Sequence, residues 1–122
     1  MNDLQLQVHE LNQLILSGDT LKAMNTFYSD DVIMQENEES PRFGKEICLK
    51  QEMQNLKRIS DLKSRLLNQA INPHTEVVFT EWEIVFRTLK GNRLKLVQVS
   101  IQQWRDNKII KEKFYYKNIQ RL

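Results

Sequence analysis

The sequence predicts a single α+β domain, with three helices first and an antiparallel sheet after them. Three observations carry this reading. Apolar residues recur at helical spacing only before about residue 58. Segments rich in β-branched and aromatic residues fill the rest of the chain. Clusters of Gly, Asn, Asp and Pro punctuate the chain at turn-sized intervals.

Leu4, Val8, Leu11 and Ile15 lie on one face of a first helix. Ser17-Gly18-Asp19 ends it: Gly18 suits a left-handed residue after a helix, and Asp19 suits the cap of the next one. A second helix is expected from Thr20 to about Tyr28, burying Leu21, Met24 and Phe27 or Tyr28. Ser29-Asp30-Asp31 reads as a turn, residues 32–36 as a short strand, and residues 37–42 as a polar loop. A third helix follows Gly44 to about Arg58, with Ile47, Leu49, Met53 and Leu56 available for burial. Long strands are expected at 62–71, 77–89, 94–105 and 108–117, joined at Asn72-Pro73-His74-Thr75, Lys90-Gly91-Asn92 and Asp106-Asn107.

Composition bounds the function. Hydrophobic residues make up 40% of the 122 and charged residues 28%, which is enough to build a core without a metal or disulfide. Cys48 is the one cysteine, so no intrachain disulfide forms, and a reduced, cytoplasmic setting is expected. The first ten residues lack the basic start and apolar run of a signal peptide, and no apolar run approaches a membrane span. Residues 1–40 hold eight acids against one base, whereas the remainder holds 17 bases against eight acids. The basic residues alternate with acids and form no arginine cluster among aromatics, so neither nucleic acid nor membrane is an expected partner. No phosphate loop, nucleophile elbow or dinucleotide fingerprint is present, and no cofactor is expected. His9 and His74 are too far apart in the pattern to pair on a metal.

Strand alternation sorts side chains by face. In the segment 77–89, Val78, Thr80, Trp82, Ile84 and Phe86 form the more apolar set and are expected to face the helices. In the segment 94–105, the apolar set is Val97, Val99 and Ile101. The opposite set, from Leu94 through Gln98, Ser100 and Gln102 to Trp104, mixes apolar groups with amides, as a dimer-forming face would. In the last strand Glu112 shares a face with Ile110, Phe114 and Tyr116. Large apolar residues on both faces predict a homodimer packed through the sheet.

Gly18-Asp19, Phe27-Tyr28-Ser29-Asp30-Asp31-Val32, Arg42-Phe43-Gly44-Lys45-Glu46-Ile47 and Trp104-Arg105-Asp106-Asn107-Lys108-Ile109 occur in an order that resembles the SnoaL-like group of the nuclear transport factor 2-like superfamily. The resemblance spans nearly the whole chain. It implies a cone: three helices closing over a strongly curved antiparallel sheet, with a pocket inside and dimers common. The superfamily includes ketosteroid isomerases, polyketide cyclases and dehydratases as well as binding proteins, so fold does not choose an activity. The isomerases resembled here use a carboxylate base after the first strand, a tyrosine donor on the first helix and a protonated acid on the penultimate strand. Matching positions carry Glu36, Leu11 and Ile101. The base position keeps a carboxylate, and both donor positions become aliphatic. Each such donor contributes about 2.7–4 kcal/mol to a transition state, which argues against that isomerase route.

Two carboxylates are therefore candidates for acid–base work. Glu36 is either a base in the pocket or a solvated acid beside Glu38 and Glu39. Glu112 is either an acid–base group or ligand anchor among apolar neighbours, or one half of a structural ion pair. Trp82, Phe86, Tyr116, Phe114, Tyr28, Val99 and Ile101 are the expected pocket lining, for a small apolar or aromatic molecule. The alternative function is a non-catalytic dimeric interaction module with a residual pocket.

Overall fold

A computed structural model describes residues 3–122. Helix α1 spans Asp3–Leu16, α2 Thr20–Phe27 and α3 Lys45–Lys57. The strands are β1 Tyr28–Glu36, β2 Arg42–Phe43, β3 Ile59–Asn72, β4 Val77–Thr88, β5 Arg93–Arg105, β6 Lys108–Tyr115 and β7 Gln120–Arg121. They form one curved, unclosed sheet in the order β2-β1-β6-β5-β4-β3, with β7 added to β5. Among the described residues no helix is long and apolar enough to cross a membrane.

The helices form where expected, with adjusted faces. On α1, Val8 and Leu11 are buried and Leu4 and Ile15 pack at the edge of the core. Gly18 takes φ +86°, the left-handed turn that ends α1. Asp19 caps α2 with its carbonyl, accepting from Ala23 N, and not with its side chain. On α3 only Cys48 is fully buried; Ile47 and Met53 are exposed, correcting the expected apolar face.

The sheet departs from a simple antiparallel meander in one pair. β1 runs parallel to β6, in register Met34↔Glu112 and Glu36↔Phe114. β1 also starts earlier than expected, at Tyr28: Ser29-Asp30-Asp31 is an irregular stretch of strand and not a turn. A stretch carrying two adjacent acids reads as a turn by propensity, but here it feeds an edge irregularity with solvated side chains.

Strand β5 faces the opposite way from the expectation. The β4–β5 hairpin pairs Phe86 with Leu94, Trp82 with Gln98, Thr80 with Ser100 and Val78 with Gln102. Paired residues share a face, so the amide-bearing set points at the helices. Ser100, Gln102 and Trp104 are all buried, whereas Val97 is exposed and Val99 and Ile101 lie on the outer face with it. Val99 and Ile101 are thus not pocket residues, and the proposed amide dimer face is the inner wall. The apolar core joins Val8, Leu11, Met24, Phe27, Val32, Val78, Trp104 and Ile109. It fills one end of the space between helices and sheet; the other end, toward Ile84 and Phe86, is a cavity.

Candidate functional site

Rows of paired residues build the inner wall. One row reads Arg42, Met34, Glu112, Gln102, Val78 and Ile71 across β2, β1, β6, β5, β4 and β3. The next reads Glu36, Phe114, Ser100, Thr80 and Gln69. Glu36 is therefore a diagonal neighbour of Glu112 on the same face. The cavity, about 230 Å³, opens over these rows. Trp82, Ile84, Phe86, Leu56, Leu62 and Phe114 supply apolar walls, and Glu112, Tyr28, Gln102, Glu36, Arg42 and Glu52 supply polar ones.

Glu112 is only 3% exposed, and no cation among the described residues pairs with it. Tyr28 Oη donates to its Oε1. Gln102 Nε2 donates to its Oε2 at 2.7 Å, and Trp104 Nε1 donates to Gln102 Oε1 at 3.0 Å. Burial pushes the Glu112 carboxyl up to about 7, against the two hydrogen bonds that favour its charged form; the nearby Glu52 adds to the rise. Burial also raises Glu52, with Glu36 adding to the effect. The Tyr28 hydroxyl is raised well above its usual value by burial first and then by Glu112.

Glu36 lies nearer solvent, its carboxylate 3.8 Å from Arg42 Nη1. Arg42 Nε is buried with no hydrogen-bond acceptor assigned among the described residues, and the guanidinium opposes the rise that burial causes in the Cys48 thiol. Of the residues expected at the site, Glu36, Glu112, Tyr28, Trp82, Phe86 and Phe114 lie on the cavity wall. Tyr116 is a correction: it follows the end of β6, its amide donates to Asn37 Oδ1 at 3.0 Å, and its ring stays outside the cavity lining. Its hydroxyl is raised by partial burial and by Glu36.

Among the wall residues that the sequence did not point to are Gln102, Gln98, Arg42 and Glu52. The β4–β5 turn held one available signal. Thr88 N donates to Asn92 O at 2.8 Å, closing a loop centred on Lys90, so even-numbered residues on both strands share a face. Hydrophobicity alone picks the odd set on β5 and misses Gln98 and Gln102. Matching to the resembled isomerases puts Ile101 at the penultimate-strand position, whereas Gln102 is the neighbour that points inward. Glu52 gave no signal, because α3 carries polar residues on all sides.

No family model matches the chain, and no curated protein matches it in sequence. Solved structures do match. A protein from Mesorhizobium loti assigned as a SnoaL-like polyketide cyclase superposes with TM-score 0.83 at 18% identity, over 95% of this chain and 100% of that one. A nuclear transport factor 2-like protein of unknown function from Burkholderia pseudomallei gives 0.82 at 10% identity, over 96% and 92%. A protein from Jannaschia assigned as a SnoaL-like polyketide cyclase gives 0.80 at 9% identity, over 96% and 90%. Helices over a curved sheet, the cavity between them and these superpositions together identify the fold of this chain as that of the SnoaL-like, nuclear transport factor 2-like proteins.

Proposed function

We propose that the cavity binds a small apolar or aromatic molecule and that Glu112 exchanges a proton with it, in cofactor-free chemistry of the isomerase, cyclase or dehydratase type. The observation that carries this reading is a buried carboxyl, unpaired with any cation among the described residues, on the wall of a cavity of mixed polar and apolar lining. A carboxyl held near 7 is populated both with and without its proton at neutral pH, as a general acid–base requires. As carboxylate, Glu112 takes a proton from an acidic C–H or O–H of the ligand. As acid, it returns that proton to another carbon, a carbonyl oxygen or a departing hydroxyl. Trp82, Phe86 and Phe114 offer faces for an apolar or aromatic body. Glu36, held against Arg42 nearer solvent, and Glu52 are further carboxylates of the same cavity. The polyketide-cyclase assignments of the Mesorhizobium and Jannaschia proteins agree with this class.

A thermal-shift panel of polycyclic, aromatic and polyketide-like compounds tests the reading. A ligand at ten times its Kd stabilises the fold by about 1.4 kcal/mol, a rise of several degrees in Tm. Glu112→Gln should keep the fold and abolish turnover of any substrate found. A panel that moves no Tm would count against binding altogether.

A second reading, a dimeric interaction module, is supported by the outer sheet face. Phe79, Val97 and Tyr115 are 43%, 38% and 41% exposed there.

A further inference from the structure

Donor and acceptor capacity fixes more about Glu112 than its burial does. An indole N–H can only donate. Trp104, 1% exposed, spends that donor on Gln102 Oε1 at 3.0 Å. Gln102, 4% exposed, is thereby held with its amide oxygen toward Trp104 and its NH2 toward Glu112, 2.7 Å from Oε2. Turning the amide over would set its NH2 against the indole N–H and leave both donors buried without acceptors. An oxygen that faces an NH2 group can accept but cannot carry a proton pointing the same way. Of the two carboxyl oxygens, only Oε1, facing Tyr28, is free to be protonated. A tyrosine hydroxyl both donates and accepts, so Tyr28 can reverse its role when that proton arrives.

We propose that Trp104 and Gln102 are positioning residues that confine the exchangeable proton of Glu112 to Oε1, where the Tyr28 hydroxyl relays it to a molecule in the cavity. In the transfer, Oε1 gives its proton to Tyr28 Oη as Tyr28 gives its own to a ligand oxygen. Glu112 is left as carboxylate, Tyr28 is neutral again, and the ligand has gained one proton. The relay rests on the proposed reading of the cavity; the placement of the proton does not. The other titratable and charged groups around Glu112 are Glu52 and Cys48 from α3, Glu36 from β1 and Arg42 from β2. None of these makes a hydrogen bond to Oε2, whose partner is Gln102.

The test follows the Glu112 carboxyl carbon by NMR across pH in the ligand-free protein, with Glu112→Gln assigning the resonance. Gln102→Leu removes a hydrogen bond to the carboxylate and should raise the midpoint by about one pH unit. Trp104→Phe keeps a ring against Phe27, whose centroid is 5.9 Å away, and frees the amide to turn its oxygen toward the protonated acid. It too should raise the midpoint. The double variant should match Gln102→Leu alone, because Trp104 acts through Gln102. An unchanged midpoint in folded Trp104→Phe, or additive shifts in the double variant, overturns the proposal. If Trp104→Phe does not fold, the wild-type Gln102 side-chain amide decides: it should titrate with the Glu112 midpoint, and an amide blind to that titration overturns the proposal equally. Because no ligand is used, failure here is separate from failure of the binding panel. With a substrate in hand, Tyr28→Phe should cut turnover at least tenfold while leaving KM within about twofold, since the lost step follows binding.

Discussion

Glu112 shows how one residue can tie stability to pH. In the unfolded chain a glutamate titrates near 4.5, and in the fold burial holds this one at about 7. Between those values the folded state keeps a proton that the unfolded state has released. The contribution is full below 4.5, falls as pH rises through about 7, and is constant above. Its size is roughly 3 kcal/mol. Glu52, also raised by burial, acts with the same sign. The expected outcome is that urea unfolding of the wild type shows a loss of stability from pH 5 to pH 8. Glu112→Gln, whose amide can offer its oxygen to Gln102 and its NH2 to Tyr28, should flatten most of that slope. Parallel slopes for the two proteins would mean that burial of Glu112 does not set its titration. The residue was legible in the sequence as an acid in an apolar set. Its partner Gln102, and Trp104 behind that amide, were not, because both come from a strand whose face hydrophobicity misassigns.

At the scale of elements, α1 is held over the sheet by apolar contacts and by a partly buried polar clamp. Asn12 Nδ2 donates to Gln69 Oε1 at 2.9 Å, and Gln69 Nε2 donates to Asn12 Oδ1 and to Thr80 Oγ1 at 3.2 and 2.8 Å. Asn12 is 8% exposed, so removing its partner leaves an amide without acceptor or donor in the core. Gln69→Leu should cost about 1–3 kcal/mol by urea denaturation, and adding Asn12→Leu should restore part of that loss. Simple additivity of the two would show that the clamp contributes nothing as a pair. The elements themselves were legible where pattern and turn chemistry agree: α1 by its 4, 8, 11, 15 spacing, β3 through β6 by their turns. Three things were not. The parallel pairing of β1 with β6 joins residues about 80 positions apart, and nothing local encodes it. The inward face of β5 is polar because it lines a cavity and a hydrogen-bonded network, the one setting in which the apolar set is the wrong guide. The bulge between Gln103 and Trp104 shifts register by one, so the tight Asp106-Asn107 turn does not by itself reveal that Gln102 faces Glu112.

For the molecule as a whole, the reversal of β5 moves the surface on which a dimer would form. The outer face of the sheet carries Phe79, Val97, Val99, Ile101 and Tyr115 near its centre, with Phe79 paired to Ile101 and Val99 to Tyr115. Charged groups flank them: Arg65 and Glu83 on one side, Lys111 and Lys113 on the other. An apolar centre with a polar rim is the layout of a protein interface. A second copy of this chain is the expected occupant, and sedimentation equilibrium should find a dimer at micromolar concentration. Val97→Lys is the suitable disruptor, because Val97 pairs with Glu83 across the strands and a lysine there gains an ion-pair partner within the monomer. The variant should sediment as a monomer with an unchanged circular dichroism spectrum and Tm within a few degrees. Wild type that stays monomeric up to hundreds of micromolar would remove the dimer. The same variant separates the two functional readings. The cavity opens on the inner face, opposite to Val97, so a monomeric Val97→Lys protein should still show the ligand-induced rise in Tm. Loss of that response together with the dimer would instead mean that the cavity depends on the second subunit.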